Sequence, residues 1–259
     1  MTTTQFPEKL KDREIFIFDQ ILAGNFEATW TEIVRYISGK EVKLHVMEDA
    51  LIVAGVRVNV SATLEQKIAD LFDASLPTAM VADMMYSAAV RRATPCPMPI
   101  SSTVSSMVAH SNSVGKQLTA PSGLVSTTGK HWILDKKIEL NPKRACNYGW
   151  HFTGPSYKGI AGFAAASAAG GPGVKVIQPN ATAHDALHSD YSQVCQLVSQ
   201  RCWINGSEYR FSDVVKDVQL AGLISHNGAL KFDRQPGTIP YTGCKLTLPF
   251  RIPSSCPTA

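Results

Sequence analysis

Apolar side chains crowd the first forty residues at a helical density. Ile15, Phe16, Ile17, Phe18, Ile21 and Leu22 form one run, Gly24-Asn25 interrupts it, and Trp30 to Ile37 resumes it. This spacing predicts two short helices, or a helix and a turn, over residues 1–40. The period then changes. Val42, Leu44 and Val46 alternate with polar neighbours, and Val56, Val58 and Val60 do so beyond Ala54-Gly55. Strands joined by tight turns are therefore expected over residues 41–60. Helical period returns at Leu64, Ile68, Leu71 and Phe72, with Ser61 and Thr63 as caps. Pro77 opens a second helix whose buried face carries Met80, Val81, Met84, Met85 and Ala88, so the two read as a helical hairpin.

A proline-rich turn, Thr94 to Pro99, leads to a serine-rich helix from about Ser101. Pro121 to Gly129 is a Ser/Thr/Gly loop and the expected boundary between two regions. Beyond it the texture turns to strands at His131–Leu134, Tyr148–Phe152 and Val174–Ile177. Asn205-Gly206 between apolar arms is a strong hairpin signal, followed by a short helix from Ser212 and a closing strand over Cys244 to Ile252. The expected fold class is α+β. Residues 1–120 would form a helical N-terminal half with a short β-hairpin, and residues 121–259 a mainly antiparallel sheet carrying the site. The two regions can equally be one continuous domain.

Composition narrows the class of molecule. The chain has 259 residues, 44% hydrophobic and 18% charged, which supports a sizeable core and excludes a disordered or collagen-like chain. The formal net charge of +4 is small and dispersed, so neither nucleic-acid binding nor electrostatic membrane attachment is expected. No apolar run approaches the ~18 residues of a spanning helix, and the longest, Gly159 to Gly173, is mostly Ala and Gly. The opening segment MTTTQFPEKLKDRE has no apolar stretch of the signal-peptide kind. Cysteines at positions 96, 146, 195, 202, 244 and 256 form no C-x-x-C pair, so mostly reduced thiols and a soluble, cytoplasmic chain are expected.

Candidate chemistry concentrates between Thr182 and Ser192. His184 and His188 stand four apart, Asp190 follows, and Asp185 occupies the place of the general base in H-E-x-x-H. On a helix the two imidazoles would share a face; Pro179-Asn180 before them argues for a loop, in which that spacing loses its meaning. His151, beside Tyr148-Gly149-Trp150, can join from another segment, since a strand glycine between aromatics marks close approach of a ligand or backbone. His131 admits the same reading. Cys195 could be a nucleophile with His184 or His188 as its base, but it opens an apolar strand and reads better as a buried thiol. Ser192-Gln193-Val194-Cys195 loosely resembles the S-H-G-C segment of L,D-transpeptidases, from which Gln193 and Val194 depart. Gly170 to Gly173 lacks the context of a nucleotide loop.

Three segments together, Gly129-Lys130-His131-Trp132, Asn147 to Phe152 and Thr182 to Ser192, resemble a family of bacterial proteins. The likeness reaches upstream to Gly55–Ser61 and the helix from Thr63. It implies a shared fold and a shared polar centre without naming a reaction. More distant members carry Ser-His-Gly where this chain has Ser192-Gln193-Val194. The expected function is hydrolysis of an amide or related bond, in a peptide or cell-wall peptide. His184, His188 and Asp190 would hold a divalent metal such as zinc, with His151 alongside. Without a metal, His184 would be the general base, oriented by Asp185 or Asp190, with Tyr191 and Ser192 donating to the oxyanion. The partner would be a small peptide-like substrate. The alternative is a non-catalytic component of a larger assembly such as a phage-like particle, with a protein as its partner. A site requires His184, Asp190 and His151 to converge in a cleft open to solvent.

Overall fold

Leu10–Leu22 form helix α1, which buries Arg13, Ile17, Phe18 and Ile21. The apolar run that follows it is a strand. Trp30–Ile37 (β1) pairs with Lys40–Met47 (β2) in an unbroken antiparallel register from Trp30↔Met47 to Ile37↔Lys40. The expectation of a helical N-terminal half is thus overturned, although the chain does mix helices with antiparallel sheets. The physical reason lies in side-chain shape: Trp30, Thr31, Ile33, Val34, Tyr36 and Ile37 are aromatic or β-branched and suit a pleated surface. Ser38 and Gly39, both at positive φ (50° and 75°), make the two-residue turn that closes the hairpin.

The computed structural model describes residues 6–119, 122–126, 128–153, 156–157, 160–161, 163–164 and 173–246. Pro121, most of the Ala/Gly run, Cys256 and the expected closing strand beyond Leu246 lie outside them. Helix α2 (Ala62–Leu71) starts where expected, with the Ser61 hydroxyl accepting from the Leu64 N–H at 3.2 Å. Helix α3 (Ala79–Ala88) is capped by Thr78, and α4 (Val104–Gly115) by Thr103. Between α2 and α3 the chain does not simply turn back. Ala74–Ser75 pairs with a strand from the far end of the sequence, Val198–Ile204, so the helical hairpin is interrupted by the sheet.

Two sheets organise the rest. In the first, β1 and β2 continue through Val198–Ile204 to Ser207–Arg210, and the last two strands turn at Asn205-Gly206, as expected. In the second, Lys130–Ile133 (β3) pairs with Arg144–Thr153 (β4), which pairs with Val174–Asp185 (β5) and then Phe163–Ala164. Helix α3 packs against both β1 and β4. Every residue from Ala79 to Tyr86 is buried, which explains an all-apolar helix with one carboxylate, Asp83. Each fully buried Met or Val side chain there contributes about 1.5–3 kcal/mol. One buried cluster takes residues from Phe6 to Leu246.

Cys96, Cys146, Cys195 and Cys202 are thiols, the last three buried, whereas Cys244 is disulfide-bonded, so the expectation of reduced thiols does not extend to it. Burial lifts the Cys195 thiol far above its usual range, as a structural thiol requires. Among the described residues no helix is long and apolar enough to cross a membrane.

Candidate functional site

Strands β3 and β4 divide the polar residues of the second sheet between two faces. Lys130 and Trp132 point one way, toward Asp190 and His184. His131, between them, points the other way and pairs across the strands with Tyr148. On β4 the alternation breaks at Gly149 (φ 116°) and Trp150 (φ 60°). A tryptophan at positive φ is strained backbone, held here by burial of the ring. The break turns Tyr148 and His151 to the same side, and both reach Asp83 Oδ1 at 2.8 Å.

On that side the Asp83 carboxylate itself is buried. Asp83 is 0% exposed and also meets His226 Nε2 at 3.1 Å, so one carboxylate ties α3 to β4 and to the segment after Ile224. Tyr86 stacks on His151 at 5.0 Å. Burial, then the Asp83 charge, pushes the Tyr148 phenol well above its usual range, keeping it a donor. Burial lowers His131 to about 3, so it stays neutral.

The other face opens to solvent. Asp190 is buried, with Oδ1 accepting from the Ser192 N–H at 2.8 Å and from the Ser192 hydroxyl. Three nitrogens gather at Oδ2, all beyond a normal bond length. They are Lys130 Nζ and Gln193 Nε2 at 3.4 Å, and His188 Nε2 at 3.7 Å. Burial alone would raise Asp190, but the facing His188, the Lys130 charge and the Ser192 donors together hold it well below the usual carboxylate range. Lys130, its side chain 12% exposed, is lowered by burial and partly restored by Asp190. His188 is 31% exposed and stacks face to face on His184 at 4.0 Å. Burial, followed by the His188 and Lys130 charges, lowers His184.

His188, Ser189 and Asp190 line a cleft of about 800 Å³, with Asp185 and Lys143 on its rim. Among the described residues several buried polar atoms have no hydrogen-bond partner, among them His188 Nε2, which faces Asp190, and Asn59 Oδ1, His110 Nε2, both amide atoms of Asn147 and Trp150 Nε1. Each forgoes about 1–3 kcal/mol, and such local conflict concentrates at functional sites. His110 wedges between Trp150 and Tyr191, and burial lowers it to about 4.

The predicted site residues therefore separate. His184, His188 and Asp190 converge; His151 lies across the sheet, bound to Asp83. Asp185 holds a turn, accepting from the Leu187 N–H at 2.8 Å. The Tyr191 hydroxyl donates to the Met98 carbonyl at 2.7 Å, and Ser192 serves Asp190. His184, His188 and Asp190 lie near one another, but among the described residues no three His, Cys, Asp or Glu side chains are arranged to hold one ion. The stacked imidazoles give the reason: their planes differ by 7°, so their in-plane lone pairs run side by side and do not meet on one ion. His184 and Asp185 end β5, so the helical H-x-x-x-H arrangement is absent too.

Lys130 and Asn147 enter the sequence reading only as members of the resembling segments, without a role of their own, and Asp83, His226 and His110 do not enter it as site residues. Asp83 carries a readable signal, a lone carboxylate inside an apolar helical stripe. Comparison with protein-family models, curated proteins and solved structures finds no match to this chain.

Proposed function

We propose that the chain hydrolyses an amide or related bond by acid–base chemistry in the cleft floored by His188 and Asp190. One observation carries the reading: a part-exposed imidazole faces a buried, ionised carboxylate at the base of a cleft of ligand size. His188 takes a proton from water as its oxygen bonds to the carbonyl carbon. The imidazolium, stabilised by Asp190, returns that proton to the leaving nitrogen as the carbon–nitrogen bond breaks. Lys130 and Ser192 keep Asp190 charged and oriented. The role expected for His184 as base passes to His188, because Asp190 faces the His188 ring.

The test is a screen on peptide and cell-wall peptide amides with the wild type, His188→Gln and Asp190→Asn. General acid–base catalysis contributes about 10²–10⁴-fold, and a loss of that size in His188→Gln with unchanged melting is expected. Turnover indifferent to His188, or none on any amide, removes the reading. The second reading is a non-catalytic component of a larger assembly.

A further inference from the structure

Two exposed aliphatic side chains frame the His188 cleft. Ile100 is 87% exposed and Leu187 is 66% exposed, and they come from segments far apart in sequence. Scattered single exposed aliphatics are ordinary; two on the walls of one cleft are not scattered. Leu187 is held by its own backbone hydrogen bonding, and Ile100 by the anchoring of its neighbour. The Leu187 N–H bonds to Asp185 Oδ1 at 2.8 Å, and the His188 N–H bonds to the Asp185 carbonyl at 3.2 Å. Next to Ile100, the Ser101 carbonyl accepts from the Tyr191 N–H at 3.0 Å, which ties that wall to the Asp190 segment. Asp185 thus has work unlike that of a general base, since it holds Leu187 out into the cleft. Leu10, Pro142 and Pro236 continue the apolar wall, while the floor at His188 is polar.

We propose that the cleft binds a small peptide-like amide carrying a branched aliphatic side chain, seated between Ile100 and Leu187, with its amide at His188. The inference rests on the reading of His188 given above and names its substrate class. An apolar group covers the two lips, and a hydrogen-bonding group meets the imidazole. The volume of about 800 Å³ suits a ligand of a few residues. No single charge sign dominates the rim, where Lys143 and Asp185 oppose each other.

The experiment titrates the whole chain with N-acetyl-leucine amide and N-acetyl-glycine amide. The readout is the NMR signal of the His188 ring protons, assigned by their absence in His188→Gln. Saturable binding of the leucine amide at least about tenfold tighter than the glycine amide is expected, since even one methylene in an apolar pocket is worth ~10–200-fold. That preference should vanish in the Ile100→Ser/Leu187→Ser double variant at unchanged melting temperature. Equal affinity for both amides, or an undiminished preference in the double variant, overturns the proposal. So does sedimentation showing a dimer that the double variant abolishes, which would assign the lips to a second copy of the chain. Leucine amide bound at His188 but never hydrolysed supports this inference and removes the hydrolase reading. Hydrolysis that needs His188 yet ignores the side chain does the reverse.

Discussion

Replacing Asp83 with alanine removes the one acceptor shared by Tyr148, His151 and His226. Asp83 is 0% exposed, so water cannot take its place without opening the interface of α3 with β4. Removing one partner of a buried ionic contact costs about 3–5 kcal/mol, and each donor left unmet adds about 1–3 kcal/mol where it cannot relax. His226 is part-exposed and can turn to solvent, so its loss counts least. A loss of about 4 kcal/mol is expected, a large share of the 5–15 kcal/mol typical of a domain. At about 2–4 °C per kcal/mol for a chain of this size, the melting temperature falls by roughly 10 °C. Asp83→Asn keeps an oxygen for Tyr148 and His151 and should lose about half as much. Urea unfolding followed by circular dichroism and tryptophan fluorescence gives both values. Asp83→Ala within about 1 kcal/mol of the wild type would falsify the argument that this carboxylate ties the sheet to the helix.

Two further predictions concern pH. Burial lowers His110 to about 4 and His131 to about 3, whereas in the unfolded chain both protonate near their ordinary value of about 6.5. Below that value the unfolded state binds more protons than the native state, so stability falls as pH falls from 6.5 toward 4. The His110 share of that loss is about 3 kcal/mol by pH 4. A His110→Phe variant that melts with the wild-type pH slope would contradict this assignment. Glu65 behaves in the opposite sense: it is fully buried with neither oxygen in a regular hydrogen bond, and burial pushes its carboxyl well above the usual range, opposed by the nearby Gln196 N–H. The unfolded chain ionises first as pH climbs past about 4.3, and stability is lost from there up to the raised native value. Glu65→Gln should therefore raise the melting temperature at pH 8 much more than at pH 4. An equal change at both would show that Glu65 is not held neutral.

Local signals were read correctly where the physics is local. Ser61 caps α2, and Asn205-Gly206 closes a hairpin, because a hydroxyl three residues before an N–H and two residues tolerant of positive φ act within one turn of chain. Over Trp30 to Ile37 the density of apolar residues imitates a helical period, although the segment is a strand. Its β-branched content and the Ser38-Gly39 turn were in plain view. At the site, the grouping of His184, His188 and Asp190 was legible because all three lie within seven residues. The sorting of His151 away from them was not. It depends on which face of β4 each side chain takes, and positive φ at Gly149 and Trp150 inverts that order.

By itself the sequence determined the capped start of α2, the Asn205-Gly206 hairpin and the polar segment on which any chemistry must draw. These depend on propensities and hydrogen bonds that span a few residues. The tertiary structure alone decided that Lys130 stands beside Asp190, sixty residues on, and that Asp83 collects donors from β4 and from beyond Ile224. Such pairings arise from strand register and from the burial of α3 between two sheets. A buried carboxylate must find donors wherever the packing brings them, and nothing in its sequence neighbourhood says where that will be.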